Sequence, residues 1–390
     1  QGGRFELHPL VQEYALEKLD TYAEAEEWRE RHAVHYITWF ASKRLFYQRS
    51  GQRQALEELA PDFPNLQGAW SWAVGAARTD LLEEALSTAV RYLLLRGRTT
   101  ETARLLQLAD TVAARGSMLH ALVLRWQAVL SGWEDPVGAH QLLTEALQIL
   151  TALKREEDLG ILHYHLGLTS AFQGDPDAAS EQLRTAIVLL EERDDEGLLG
   201  AAYSNLSLVT AYEAEHEALA RRAHAASLEA GNIAQLAICL ANEAGEVHYT
   251  YGDSSAAVGY LQAAIELEEN EGGRDDVLER FYHRQAHDLV NLGDLTRAEQ
   301  RLAEAVRMIT ERGTGEYPEQ TRYPPLALVA ALLSEARGDY KEARAAAEAA
   351  PDDRLCREVL CRLALQEGDI ELAGQHLAVL RVLRGYGFAV

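Results

Sequence analysis

The chain has 390 residues, 47% of them hydrophobic and 25% charged, which is the composition of a folded globular protein. Its formal net charge is −24, so its surface repels phosphate backbones and we expect no direct binding of nucleic acid. No stretch approaches the roughly 18 apolar residues of a membrane span. Three cysteines are too few for a disulfide framework, and no signal peptide is visible in the sequence, so we expect a reducing, cytoplasmic setting.

The first hundred residues hold four segments in a definite order. Residues 4–8 alternate like a short strand, and Pro9 then opens a helix that runs to Leu19. A helix rich in arginine and glutamate follows, and the stretch PDFPN at 61–65 marks a break before the next helix. In chain order the four segments are RFELHPLVQEYALEKL, RHAVHYITWF, DFPNLQGAWSWAV and LLLRGRTTETARLL.

The rest of the chain is organised around a Gly-Asp pair that follows a helix-length apolar stretch. In each copy a small residue stands seven positions before the glycine, and an alanine stands five positions after it. Antiparallel helices approach closely only where small side chains face each other, and Gly-Asp lets one helix end and caps the next. This is the pattern of the tetratricopeptide repeat (TPR). The glycines are Gly174, Gly252, Gly293, Gly338 and Gly368, and weaker copies surround Trp126 and Leu206.

The repeats predict an all-α protein, a solenoid of antiparallel helix pairs that forms a TPR-like α-α superhelix. One degenerate copy lies between Gly174 and Gly252, so the local repeat period is half the separation of these two glycines. This period exceeds the ~34 residues of an ordinary TPR, and longer helices and loops absorb the excess. A superhelix of this kind has a concave inner wall, to which the first helix of each pair contributes.

The four N-terminal segments, followed by these repeats, resemble a recurring part of bacterial signal-transduction ATPases with numerous domains, the STAND class. There it follows the nucleotide-binding and winged-helix domains and leads into a TPR-like sensor. The maltotriose-responsive activators and many LuxR-type transcription regulators are built this way. The resemblance implies that residues 1–20 end a winged-helix domain, that 21–115 form a helical linker or arm, and that 116–390 form a TPR superhelix of about seven helix pairs.

The sequence motifs for the ATPase activity and DNA binding of this family are not found in this sequence. The sequence has no G-x-x-x-x-G-K-[ST] phosphate loop and no basic helix-turn-helix near its C-terminus. We therefore expect a sensor arm without ATPase activity or DNA binding of its own, cut from a longer polypeptide that begins before Gln1. Its partner would be the upstream nucleotide-binding domain of the same polypeptide.

Catalytic and metal-binding motifs are not recognisable in the sequence. The histidine pairs His32/His35 and His283/His287 each share a helix face, but neither has the H-E-x-x-H pattern of a zinc site. His163 and His165 are two positions apart on a helix and must point in different directions. No G-x-S-x-G nucleophile elbow occurs. We expect no enzyme activity, no catalytic residue, no metal site and no cofactor.

The position of a residue within its repeat, which we call the repeat frame, predicts whether the residue faces the concave wall. This gives a set of candidate binding residues on the first helix of each pair. Aromatic rings beside amides and charges suit a ligand that needs stacking and directed hydrogen bonds, such as a sugar, a nucleotide or a peptide. The same side chains also fit ordinary groove surface or packing between helices. The candidates are Tyr164, Phe172, Tyr212, Asn242, Glu246, Tyr249, Arg280, His283, His287 and Asn291.

Three functions remain open from the sequence. The first is a sensor that binds a small-molecule inducer in its groove and thereby changes how the arm docks on an upstream ATPase module. The second is an interaction scaffold whose groove holds a peptide or a partner helix, and the third is an oligomerisation arm. A closed, aromatic-floored cavity would favour the small molecule, and an open trough would favour the peptide.

Overall fold

The computed structural model describes residues 9–19, 21–43, 52–132, 134–192, 196–210, 213–272, 275–312, 326–351 and 353–383. All regular structure in these ranges is helical, which confirms the all-α prediction. The predicted strand at 4–8 lies outside the described residues. The first six helices are α1 Pro9–Leu19, α2 Ala25–Ser42, α3 Gln52–Leu59, α4 Phe63–Gly75, α5 Thr79–Leu95 and α6 Thr99–Asp110.

The following helices pack as consecutive antiparallel pairs, each helix against its successor. The pairs are α7 Met118–Ser131 with α8 Pro136–Ala152, α9 Leu159–Phe172 with α10 Pro176–Glu191, α11 Glu196–Val209 with α12 Glu213–Glu229, α13 Ile233–Tyr251 with α14 Ser254–Leu267, α15 Asp275–Asn291 with α16 Leu295–Arg312, α17 Leu326–Arg337 with α18 Tyr340–Glu348, and α19 Arg354–Gln366 with α20 Ile370–Leu383. This arrangement confirms the TPR-like superhelical fold.

The Gly-Asp pairs join the two helices of a pair as the sequence predicts. Gly174 has φ +78°, in the left-handed region that glycine adopts without strain, so α9 can end there. The Asp175 side chain then accepts a hydrogen bond from the backbone N–H of Ala178 at 2.9 Å, which caps α10. The same positive φ and the same cap recur at Gly252-Asp253, Gly293-Asp294, Gly338-Asp339 and Gly368-Asp369.

Small side chains let the two helices of a pair approach closely. A Cβ placed on Gly167 would lie 2.7 Å from Cγ of Leu183, so α9 and α10 meet at a point where only glycine fits. Five residues beyond each Gly-Asp glycine the alanine is buried, at Ala179, Ala257, Ala298, Ala343 and Ala373. The predicted role of these positions in close helix packing is therefore confirmed.

The N-terminal arm and the first repeat share one hydrophobic core. Phe40 of α2, Trp70 of α4, Leu86 of α5, Leu106 of α6 and Trp126 of α7 are buried in a single cluster. Packing is therefore continuous across residue 115, the predicted boundary between the helical arm and the TPR superhelix. The predicted domain bounds, including a winged-helix end at 1–20, stay predictions, although α1 begins at Pro9 and ends at Leu19 as expected.

A three-residue brace ties α10 to α11 and α12, and a similar brace ties the segment after α14 to α15 and α16. In the first, the Tyr203 hydroxyl donates to the Glu191 carboxylate, and the Arg222 guanidinium lies 5.2 Å from the centroid of the Tyr203 ring. Burial and Glu191 raise the pKa of Tyr203 to about 12. In the second brace the same roles belong to Tyr282, Glu269 and Arg301, with the guanidinium 5.0 Å from the ring.

Candidate functional site

The first helices of the pairs form the inner wall of the array. Among the described helices, α11 contacts α13, α15 contacts α17, and α17 contacts α19, although the intervening second helices separate them in sequence. Contacts of similar extent between successive second helices do not occur in the described ranges. The array therefore bends with its first helices inside, on the side where the repeat frame places the candidate residues.

The predicted aromatic residues differ in how the structure uses them. Tyr164 on α9 is half-buried, packs against the core formed by α10 to α13, and accepts a hydrogen bond from Asn205 Nδ2 at 3.3 Å. Phe172 is half-buried at the C-terminus of α9. Tyr212 and the side chain of Tyr249 lie outside the described residues. Tyr164 thus serves at least partly in packing, the alternative that the sequence leaves open.

A polar crevice lies between α11, α12 and α13, and its lining includes Glu243 and His216. Asn242 Nδ2 donates to Ser204 Oγ at 2.9 Å across the first-helix boundary. His216 Nδ1 donates to the carbonyl oxygen of Ser207 at 2.9 Å, and its Nε2 lies 4.0 Å from Glu246 Oε2. The candidates Asn242 and Glu246 therefore each face a side chain of the preceding repeat.

A second crevice lies between α13 and α15, and its lining is ionisable. His248 Nδ1 of α13 lies 2.5 Å from Oδ1 of Asp288 on α15, and the His248 and His287 ring centroids are 5.2 Å apart. His283 and Arg284 complete the polar lining. Burial lowers the pKa of His287, the negative charge of Asp288 acts in the opposite direction, and His248 lowers the pKa further.

The four candidates on α15 divide between this crevice and its surroundings. His283, 1% exposed, and His287 line the crevice, whereas Arg280 is half-buried and Asn291 is exposed at the C-terminus of α15. Two of the four predicted residues, His283 and His287, therefore lie together in the crevice, and Arg280 and Asn291 lie outside its lining.

Three polar residues of this crevice are missing from the sequence-based candidates: His248, Arg284 and Asp288. The sequence shows histidine pairs only within one helix, whereas this cluster joins two helices across a repeat. One signal was available, because His248 precedes His287 by one local repeat period, and equivalent positions of neighbouring first helices lie side by side.

A different group of charges surrounds His165, further towards the N-terminus on the inner wall. Burial, together with Arg125 on α7 and Arg91 on α5, lowers the pKa of His165 to about 3, so the ring stays neutral. Arg125 Nη2 donates to Ser87 Oγ at 2.9 Å. His163, by contrast, contacts Oε1 of Gln182 on α10 with its Nδ1, at 2.8 Å. The two histidines point in different directions, as predicted.

In the part of the chain that the structure describes, we find no helix with the length and apolar character needed to cross a bilayer.

Comparison with solved structures gives matches over nearly the whole chain at low identity. A Rap protein complexed with competence and sporulation factor is 10% identical with a TM-score of 0.63, over 92% of this chain and 98% of that one. NprR in complex with its cognate peptide NprX is 12% identical with a TM-score of 0.53, over 86% and 97%. No family model matches the sequence, and neither does any curated protein.

A third match covers nearly all of this chain but only part of the other protein. A STAND protein with a tetratricopeptide repeat sensor, from Pyrococcus horikoshii, is 13% identical with a TM-score of 0.60. The match covers 98% of this chain but only 55% of that one, so this chain spans about half the length of the STAND protein. At these identities the three likenesses establish a shared TPR-like fold.

Proposed function

We propose that this chain is the sensor part of a larger regulator and that its inner wall binds a peptide or an extended segment of a partner protein. The proposal depends above all on the row of polar contacts that joins neighbouring first helices along this wall. These contacts are Tyr164–Asn205, Ser204–Asn242 and His248–Asp288.

The spacing of such a row suits an extended main chain. Packed helices lie about 8–10 Å apart, and an extended peptide advances about 3.3 Å per residue, so a peptide on this wall passes one helix about every three residues. Its amide groups would then meet donors and acceptors at each repeat. The polar groups on α9, α11, α13 and α15 would together accommodate a peptide of about ten residues.

The shape of the two crevices favours a peptide over a small-molecule inducer. The enclosed part of each has room for about one water molecule, far below the ~300–1,000 Å³ of ordinary small-molecule sites. Neither is floored by tyrosine, phenylalanine or tryptophan. Similar structures that are described as bound to the peptide NprX or to competence and sporulation factor agree with this choice.

The STAND likeness supports a place in a multidomain protein. Because the Pyrococcus horikoshii protein extends well beyond the matched region, we propose an upstream nucleotide-binding module as the partner of this arm, in the cytoplasm. A bound peptide would shift how the arm docks on that module only if its affinity differs between the docked states. In this proposal the chain itself binds and does not catalyse.

The test is native mass spectrometry of the purified chain after incubation with clarified extract from the cells that make it. A retained species of peptide mass supports the proposal, and fragmentation then gives its sequence for synthesis. An adduct of small-molecule mass would instead support the inducer hypothesis and contradict the peptide.

Groove variants locate the binding site. Asn242→Ala and Arg280→Ala alter the inner wall, and each should weaken binding of the synthetic peptide by about tenfold, which corresponds to about 1.4 kcal/mol. Arg307→Ala is the matched control, since Arg307 is exposed on the second helix α16 with Glu304 and Glu311. Equal affinity in the groove variants and the wild type would show that the peptide binds elsewhere.

A further inference from the structure

We propose that His248, His287 and Asp288 bind a divalent transition-metal ion, of which zinc fits this set of ligands best. The proposal goes beyond peptide sensing and is independent of it. Each of the three side chains offers one ligand atom, and these atoms all lie within 4.8 Å of one another. His248 comes from α13, and the other two come from α15, so an ion would link consecutive first helices.

The distances require only small movements to form a site. Bonds of about 2.0–2.2 Å to a tetrahedral ion place ligand atoms about 3.4 Å apart. His248 Nδ1 and Asp288 Oδ1, now 2.5 Å apart, would separate by about 1 Å. The His287 ligand atom lies within 4.8 Å of both, so it would move inward by at most about 1.4 Å. Rotations about the histidine χ angles supply movements of that size without shifting the helices.

The burial of the Asp288 carboxylate also favours the binding of a metal ion. Its side chain is only 6% exposed, and burial of a carboxylate is costly unless a positive charge or hydrogen bonds compensate it. Despite the short approach to His248, Asp288 Oδ1 makes no hydrogen bond of acceptable geometry in the structure. A metal ion between the two atoms would replace this misaligned contact with two coordinate bonds.

The chemical nature of the ligands selects the metal. Two imidazoles and one carboxylate suit zinc and its transition-metal neighbours, whereas calcium and magnesium prefer oxygen ligands throughout. Three protein ligands leave a fourth position for water or an exchangeable ligand, which differs from the four protein ligands of a closed structural zinc site. The surrounding crevice provides access to that position.

Arg284 and the net charge of the chain affect the binding of a cation in opposite directions. The guanidinium of Arg284 lines the same crevice and repels a cation. The formal net charge of −24 attracts cations to the molecule as a whole. The local balance favours binding, because the Asp288 carboxylate contacts the ion directly and Arg284 does not.

The experiment is a zinc titration of the metal-free chain by isothermal calorimetry, with Co²⁺ absorption spectroscopy as a second measurement. We expect one tight Zn²⁺ per chain and the intense visible bands of four-coordinate Co²⁺ that carries nitrogen and oxygen ligands. His248→Ala, His287→Ala and Asp288→Asn should each weaken Zn²⁺ binding by more than about 100-fold, since even outer-shell partners contribute about 10–100-fold.

Matched controls distinguish this site from nonspecific zinc binding by the other histidines. His224→Gln removes an imidazole that also faces a carboxylate, with Nε2 at 3.2 Å from Glu243 Oε1, but has no second histidine. His32→Ala/His35→Ala removes two exposed imidazoles of α2. Both controls should retain tight zinc binding.

Two outcomes would overturn the proposal. One is a wild-type chain that binds zinc only weakly, or that gives the faint spectrum of six-coordinate Co²⁺. The other is tight binding that persists in the folded Asp288→Asn and His287→Ala variants. Circular dichroism checks that each variant is folded, and the wild-type cobalt spectrum decides the matter even if one variant fails to fold.

Discussion

The inner wall carries half-buried histidines in two regions, around His165 on α9 and around His287 on α15, and their surroundings differ in charge. Burial lowers the pKa of both rings. Near His165 the neighbouring charges are Arg125 and Arg91, which lower the pKa further, to about 3. Near His287 the carboxylate of Asp288 opposes the effect of burial. A half-buried imidazole is thus kept simply neutral in one region, and in the other it belongs to a group that can take up a cation.

The largest expected effect concerns the pH dependence of stability around His165. Unfolding returns this imidazole to its ordinary pKa of 6.5, so between pH 6.5 and about 3 the unfolded chain binds more protons. Stability therefore falls as the pH falls below 6.5, with a slope of up to about 1.4 kcal/mol per pH unit from this residue. His165→Gln should flatten that part of the profile, measured by urea unfolding from pH 7.5 to 4.

The control for this experiment is His35→Gln on α2. The His35 side chain is already exposed in the folded protein, so its removal should leave the slope as in the wild type. If His165→Gln has the same slope as His35→Gln, then burial and the neighbouring arginines do not lower the pKa of His165.

A second prediction removes the charge that distinguishes the His287 region. Asp288→Asn keeps the size of the side chain but replaces the carboxylate that faces His248 at 2.5 Å. In metal-free buffer at pH 7.5 we expect the free energy of unfolding to fall by about 1–3 kcal/mol, because the amide cannot supply the negative charge that faces the largely buried His248 ring, and losing the partner of a buried polar group costs about that much. Urea unfolding measures the change, and a loss below about 0.5 kcal/mol would show that Asp288 contributes no net stability.

A third prediction compares glycines in the two regions. Gly167→Ala puts a Cβ 2.7 Å from Leu183 Cγ in the core between α9 and α10, and should cost about 1–3 kcal/mol. Gly245→Ala puts a Cβ 2.8 Å from Arg284 Nη2, the far end of a flexible side chain, which can move at little cost. Thermal unfolding of both variants tests the difference. Gly259→Ala, with open space around its Cβ in α14, is the control and should stabilise slightly.

The smallest expected effect comes from Arg284. Arg284→Gln removes the guanidinium that repels a cation from the crevice, so zinc affinity should rise by about three- to tenfold, an electrostatic change of about 1 kcal/mol. Competition with a chelator of known affinity measures this rise. Weaker binding in the variant would mean that Arg284 positions Asp288 or His287.

The repeat fold could be predicted from the sequence because its determinants are local. Gly174 and Asp175 specify a helix end and a helix cap within a few residues, and Ala179 follows at a fixed spacing that keeps the paired helix close. The confirmed junctions all have this property. Helix α1 is likewise marked at its start by Pro9, which suits the first turn of a helix.

The candidate site was less predictable, because its contacts join residues of different repeats. The repeat frame identified His283 and His287, but the crevice also depends on His248, whose position relative to α15 is set by the angle between two helices. Tyr164 fits both alternatives that the sequence leaves open, a ligand contact and packing between helices. Its ring packs partly against the neighbouring core, and how much of it faces the groove depends on how far the next pair tilts.

The two tyrosine braces recur at a fixed spacing along the superhelix. The separation of Tyr203 from Tyr282 equals that of Arg222 from Arg301, and it is close to twice the local repeat period. The pair between them has another contact at the corresponding boundary, His224 with Glu243. Over these three boundaries a tyrosine brace alternates with the His224–Glu243 contact. Removing α11 to α14 as a block of two pairs would place Glu191 opposite Tyr282, so that a tyrosine brace could form again, whereas removing α11 and α12 alone would place Glu191 opposite α13, which has Asn242 at the corresponding position.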